Sequence, residues 1–231
     1  LVNAGQHAET ARSLKVLLMS FERDLIDALD HVEEGFHTDE LAYLALTQKV
    51  EQAFRDKLAY KLHRRFEGRG PELLVCREWQ RADLALVNKD GPRLLLEAKA
   101  GYTFDIMMRN KGFDFAKLCA SDLRKAAALA VKMNCSPEIY ALAIATHPHA
   151  APAPEYRAAV KYYPGVRKYA TAANNHDAVK AVMRETMTDF EEVHHLPVAA
   201  GQAFGTKVSL LVWLYRAKRI EAEATSVPLR T

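Results

Sequence analysis

Cysteine is scarce in this chain, and none of it is paired in sequence. Cys76, Cys119 and Cys135 are an odd set without CxxC spacing. Neither a disulfide framework nor a cysteine zinc site is expected, and a reducing, cytoplasmic setting is favoured. Long apolar runs are also missing. The longest, Leu210 to Tyr215, is far too short to span a bilayer, so no membrane partner is expected. The first residues carry His7 and Glu9 and no signal-peptide core. There is no GxxxxGK[ST] loop, no Rossmann glycine run and no Gly-X-Ser-X-Gly elbow, which removes support for P-loop, dinucleotide and serine-hydrolase chemistry. Repeats and low-complexity tracts are absent. Charge of one sign is not in excess: 32 Lys and Arg against 29 Asp and Glu leave +3. That balance is compatible with a polyanion partner but too mild to imply one.

What is present is an ordinary globular composition. Of 231 residues, 49% are hydrophobic and 26% charged, enough for one fair-sized domain with a substantial core. The most informative stretch is Arg81 to Lys99, RADLALVNKDGPRLLLEAK. Two apolar runs, Leu84 to Val87 and Leu94 to Leu96, flank the turn signal Asn88-Lys89-Asp90-Gly91-Pro92, which predicts a β-hairpin. Asp83 opens the first strand and Glu97-Ala98-Lys99 closes the second, so the hairpin brings these residues together. Glu97 and Lys99 are two apart and share a face. Two carboxylates and a free backbone carbonyl, that of Ala98, suit Mg²⁺. A lysine beside them can hold or deprotonate an attacking water, or offset charge developing on a phosphate.

This set, Asp, strand, turn, strand, Glu-X-Lys, resembles the PD-(D/E)XK nuclease superfamily. Asp83 matches the family Asp and Glu97-Ala98-Lys99 its (D/E)-X-K, while Ala82 stands where the family motif has Pro. The resemblance implies a restriction-endonuclease-like α/β core in the order α-β-β-β-α-β, with a mixed central sheet flanked by helices. It covers residues 39–146. Residues 1–37 would form a helical N-terminal extension, 147–220 an α/β addition and 221–231 a tail. It further implies a Mg²⁺-dependent endonuclease acting on DNA, with Mn²⁺ able to substitute. Asp83, Glu97 and the Ala98 carbonyl would hold the metal, and Lys99 would act on water. Restriction-like cleavage is the first reading of its role, with repair or defence beside it. The alternatives are a non-catalytic nucleic-acid-binding or scaffold protein on the same fold, and an RNA- or structure-specific nuclease.

Around this centre, residues 8–33 carry apolar positions at helical spacing that suit packing or a homodimer contact. Thr38 is placed to cap a helix reaching about Phe66, with the apolar stripe Leu41, Leu44, Phe54, Leu58, Leu62 and Phe66. Projected at about 100° per residue, Glu51 falls within that stripe and Asp56 on the outer face. Glu51 is then either half of a buried pair with Arg55, or a third acid facing the metal, the position the superfamily often fills from the helix before its sheet. A strand is expected at 72–79. A loop at 101–112 would place Arg109 and Lys111 near substrate.

Residues 114–133 form an amphipathic helix whose polar face gathers Lys117, Arg124, Lys125 and Lys132. That stripe fits either phosphate contact or a plain solvated surface. Asp122 projects onto the apolar side and needs a partner. A strand at 138–146 precedes the connector HPHAAPAP, where His147 and His149 read as exposed loop histidines. Lys161, Tyr162, Tyr163, Arg167, Lys168 and Tyr169 interleave cations with aromatics, which suits base stacking or helix packing equally. A helix at 177–190 and strands at 192–199 and 207–215 close the chain.

Overall fold

The computed structural model describes residues 21–67, 73–108, 114–170 and 176–217. Arg109, Lys111 and the start of the first predicted helix lie outside them. Six strands form one mixed sheet in the order β1-β2-β3-β4-β6-β5. They are β1 (Leu74–Trp79), β2 (Ala82–Asn88), β3 (Gly91–Tyr102), β4 (Glu138–Pro148), β5 (Phe190–Ala203) and β6 (Thr206–Ala217). β3 and β4 are parallel, and every other neighbouring pair is antiparallel. The predicted hairpin is β2–β3. Asn88 Oδ1 accepts from the Asp90 N–H at its turn, and Gly91 follows with φ 115°, a conformation that favours glycine.

Helices cover both faces of the sheet. On one lie α1 (21–29), α2 (Glu40–Thr47), α3 (Glu51–Phe66) and α6 (Tyr163–Tyr169). On the other lie α5 (Phe115–Lys132) and α7 (His176–Thr186). The short α4 (Thr103–Met107) follows β3 directly. β4, near the centre, shows why the layers fit. Tyr140, Leu142 and Ile144 pack into the core with Phe54 and Leu58 of α3. The small Ala141, Ala143 and Ala145 point the other way and pack with Cys119 and Leu123 of α5. Side chains that alternate along a strand thus build two cores from the same backbone.

Several expectations are corrected. The single helix from Thr38 to Phe66 is two helices. Gln48 is extended, with φ −148° and ψ −179°. The Leu46 carbonyl is taken by the Lys161 N–H at 2.7 Å, and Thr47 Oγ1 bonds back to the Tyr43 carbonyl. The ladder therefore cannot continue, and Glu51 becomes the first residue of α3. Thr38 is not the cap. Asp39 takes that position with φ 63° and no capping side-chain bond, because its Oδ1 accepts from the Gln202 N–H of β5. The expected loop at 101–112 begins as the end of β3 and then α4, whose Thr103, Phe104 and Ile106 are buried. The connector after residue 146 also starts as strand. His147 and Pro148 pair with Ser209 and Val208 of β6, and His147 is only 1% exposed. The histidine is therefore not a loop residue.

Candidate functional site

The β2–β3 ladder ends at Leu84↔Leu96. β3 continues along β4 as far as Tyr102↔Thr146, so its last residues have a free edge on the β2 side. Backbone groups there need partners other than a strand, and acidic side chains supply them. Asp83 Oδ2 accepts from the Ala98 N–H at 2.8 Å. Glu51 Oε2 accepts from the Ala100 N–H at 3.0 Å. Lys99 Nζ donates to the Ala98 carbonyl at 3.0 Å.

The alternation of β3 sorts the remaining groups. Leu94, Leu96, Ala98 and Ala100 belong to the α3 core, and Leu95 packs with Ala126 of α5. Glu97 and Lys99 therefore project on the α5 side. Lys99 Nζ lies 2.6 Å from Asp122 Oδ2, and Lys125 Nζ is 2.7 Å from Asp122 Oδ1. This answers the question of Asp122's partner, which lies on another element. Asp83, Glu97, Lys99, Asp122 and Lys125 line a cavity of about 460 Å³ with Arg81. Near the end of β1, Glu78 has φ 52°, and Gln80 and Arg81 in the β1–β2 turn that leads into the cavity have φ 51° and 76°. Non-glycine residues seldom adopt this left-handed backbone, which costs roughly 1–2 kcal/mol per residue.

Burial and the neighbouring charges set the electrostatics together. Burial first, then the charges of Asp83 and Asp122 and a hydrogen bond with Asp83, push the Glu97 carboxyl up to about 8, against the pull of Lys99. Burial depresses the Lys99 ammonium, but the Asp122 hydrogen bond and charge, with Asp83 and Glu51, outweigh it and hold it above its usual value. Asp122 is held below the usual carboxylate range, because its bonds to Lys125 and Lys99 exceed the cost of burial.

Arg55 does not pair with Glu51. It reaches Asp56 at 2.9 Å, Glu78 at 3.2 Å and Asp83 at 3.4 Å, so the Glu51–Arg55 reading is corrected. Glu51 approaches from the α3 side and meets the β3 edge one hydrogen-bonding position beyond Asp83. Lys117, Arg124 and Lys132 are exposed along α5 and do not line the cavity. A second cavity of about 520 Å³ runs past Ala100 and Gly101 on the α3 side, lined by Lys49, Tyr102, Phe104, Tyr162 and Tyr169. Tyr102 and Phe104 stack with centroids 4.8 Å apart. Lys161 lies 5.3 Å over Tyr162 and Lys168 4.9 Å over Tyr169.

Asp122 is the site residue that sequence reasoning left unassigned; its signal was a carboxylate on an apolar helix face. Among the described residues, no helix is long and apolar enough to cross a membrane. In comparisons with known proteins, no family model, no curated sequence and no solved structure matches this chain.

Proposed function

We propose that this chain is a divalent-metal-dependent endonuclease of the PD-(D/E)XK kind, hydrolysing phosphodiester bonds in DNA. The observation that carries the reading is the meeting of Asp83, Glu97 and Lys99 at the free edge of β3, with the Ala98 carbonyl between them. The element order α3, β1, β2, β3, α5, β4, with the short α4 inserted after β3, supports the same reading.

The donor set fits a hard cation. Burial first, and neighbouring acids second, hold the Glu97 carboxyl protonated up to about 8, and a divalent ion would offset both costs of ionising it. Asp83, Glu97 and the Ala98 carbonyl would hold Mg²⁺ or Mn²⁺. When bound, the ion would polarise a phosphoryl oxygen and lower the pKa of water. The chain's own groups do the rest. Lys99, held as an ammonium, orients the attacking water and offsets charge growing on the phosphate oxygens. Asp122 holds that ammonium in place. Water oxygen bonds to phosphorus, the bridging P–O bond breaks, and the leaving sugar oxygen takes up a proton. Glu51 fixes the β3 edge and adds to the negative field.

Purified protein is to be incubated with supercoiled, linear and single-stranded DNA and with RNA, in Mg²⁺, Mn²⁺ or EDTA. Metal-dependent DNA cleavage that falls about 10²–10⁴-fold in Lys99→Ala is the expected result. Binding without turnover in every metal would favour a non-catalytic protein, and cleavage of RNA alone would redirect the substrate.

A further inference from the structure

We propose that His147, His149 and His176 form a second metal site, for a zinc-type transition ion, which ties the start of α7 to the end of β4. One ring nitrogen from each histidine lies within 4.8 Å of the other two. The rings are 4.4 Å apart between His147 and His176, 4.9 Å between His147 and His149, and 6.0 Å between His149 and His176, all steeply inclined. A tetrahedral zinc with bonds near 2.0 Å places its nitrogens roughly 3.3 Å apart. The difference, at most about 1.5 Å, is one that side-chain rotation closes.

Two further observations point to a ligand rather than to three rings packed by chance. The first is an orphan. His176 Nε2 is buried with no hydrogen-bond partner among the described residues, and an unmet polar atom of this kind costs about 1–3 kcal/mol. A metal at the cluster gives it a partner. The second is the outer set of bonds. His147 Nδ1 is 3.1 Å from Thr103 Oγ1, and His149 Nε2 is 2.8 Å from Ser209 Oγ. Each engages one nitrogen and leaves the other, which is how ligating histidines are oriented.

The donors also define the ion. Three imidazoles and no carboxylate suit zinc, nickel or copper and not Mg²⁺. Three protein ligands leave one position for water on the His149 side, since His149 is exposed and His147 buried. The site is separate from the carboxylates. Lys99 pairs with Ala143, and His147 lies four residues further along the strand, about 13 Å.

The test uses the full chain carrying Asp83→Asn and Glu97→Gln, which removes two of the carboxylates proposed to hold Mg²⁺. After EDTA treatment and dialysis, Zn²⁺ is titrated calorimetrically and Co²⁺ is followed by its visible spectrum. One equivalent of Zn²⁺, the strong bands of four-coordinate Co²⁺, a higher melting temperature with Zn²⁺ and no competition from Mg²⁺ are expected. His149→Ala and His176→Gln should each weaken Zn²⁺ binding at least ~100-fold, more than the loss of an outer-shell partner. His149 is exposed, so that variant decides the matter even if the His176 variant does not fold. Absence of Zn²⁺ binding, or affinity unchanged in His149→Ala, overturns the proposal.

Discussion

Glu51 shows how much one hydrogen bond decides at the scale of a residue. Its carboxylate receives the Ala100 N–H, while Arg55 is satisfied by three other acids. Glu51→Gln keeps an acceptor for Ala100 and strands no cation. Its stability should change by no more than about 1 kcal/mol, against the roughly 3–5 kcal/mol of breaking a buried ion pair. Cleavage should fall, and the Mg²⁺ needed for half activity should rise. Melting without metal and a Mg²⁺ titration check both; a large stability loss with an unchanged Mg²⁺ requirement would make Glu51 purely structural. Glu97 sets a pH dependence. Its carboxyl is raised to about 8 when folded, so between the ordinary carboxylate value and that point the folded state holds a proton that the unfolded state has released. Metal-free stability should therefore fall as pH rises from about 5 to about 8 and level off above. Glu97→Gln should flatten that fall. Metal binding needs the ionised form, so the Mg²⁺ requirement should relax as pH climbs through the same window. Denaturant melts and cleavage assays across this range test the two halves separately.

At the scale of elements, α5 carries the substrate question. Lys125, though exposed, is held by Asp122 at the cavity, which leaves Lys117, Arg124 and Lys132 as the exposed cations of the helix with no ion pair among the described residues. If they lie along phosphates, changing all three to Gln should flatten the slope of log affinity against log salt by up to about 3, equally for every sequence. An unchanged slope would make the stripe ordinary solvated surface. This helix and the β2–β3 hairpin were legible in the sequence because their signals are local: a 3.6-residue apolar period, and two apolar runs around a glycine turn. The break between α2 and α3 was not, since the bond that diverts the Leu46 carbonyl comes from Lys161. For the same reason a projection across one continuous helix was the wrong ground for placing Glu51, even though Glu51 reaches the β3 edge. That Asp83, Glu97 and Lys99 lie together could be read from adjacency in a hairpin, whereas Lys99–Asp122 needs α5 to cross the sheet. His147 was misjudged because a His-Pro-His run looks like a connector until β6 pairs with it.

At the scale of the whole molecule, the site depends on both helical layers at once. Glu51 comes from α3 on one face and bonds Ala100 of β3, while Asp122 from α5 on the other face holds Lys99 of the same strand. β4 and β6 send alternate side chains into both cores. Leu214 of β6 is buried in the α3-side core, while Trp213 beside it packs with Met183 of α7. Strands shared in this way should make the two cores melt together. Leu214→Ala and Met183→Ala should each cost about 2–5 kcal/mol. Being on opposite faces, the two losses should add within about 0.5 kcal/mol. Helix content by far-ultraviolet circular dichroism and the environment of Trp213 by fluorescence should change at one urea concentration in the parent and both variants. DNA cleavage should disappear with them. If Trp213 fluorescence changed at lower urea in Met183→Ala while helix signal and cleavage persisted, the α7 layer would be a separable unit. The carboxylate site would then depend on α3 and α5 alone.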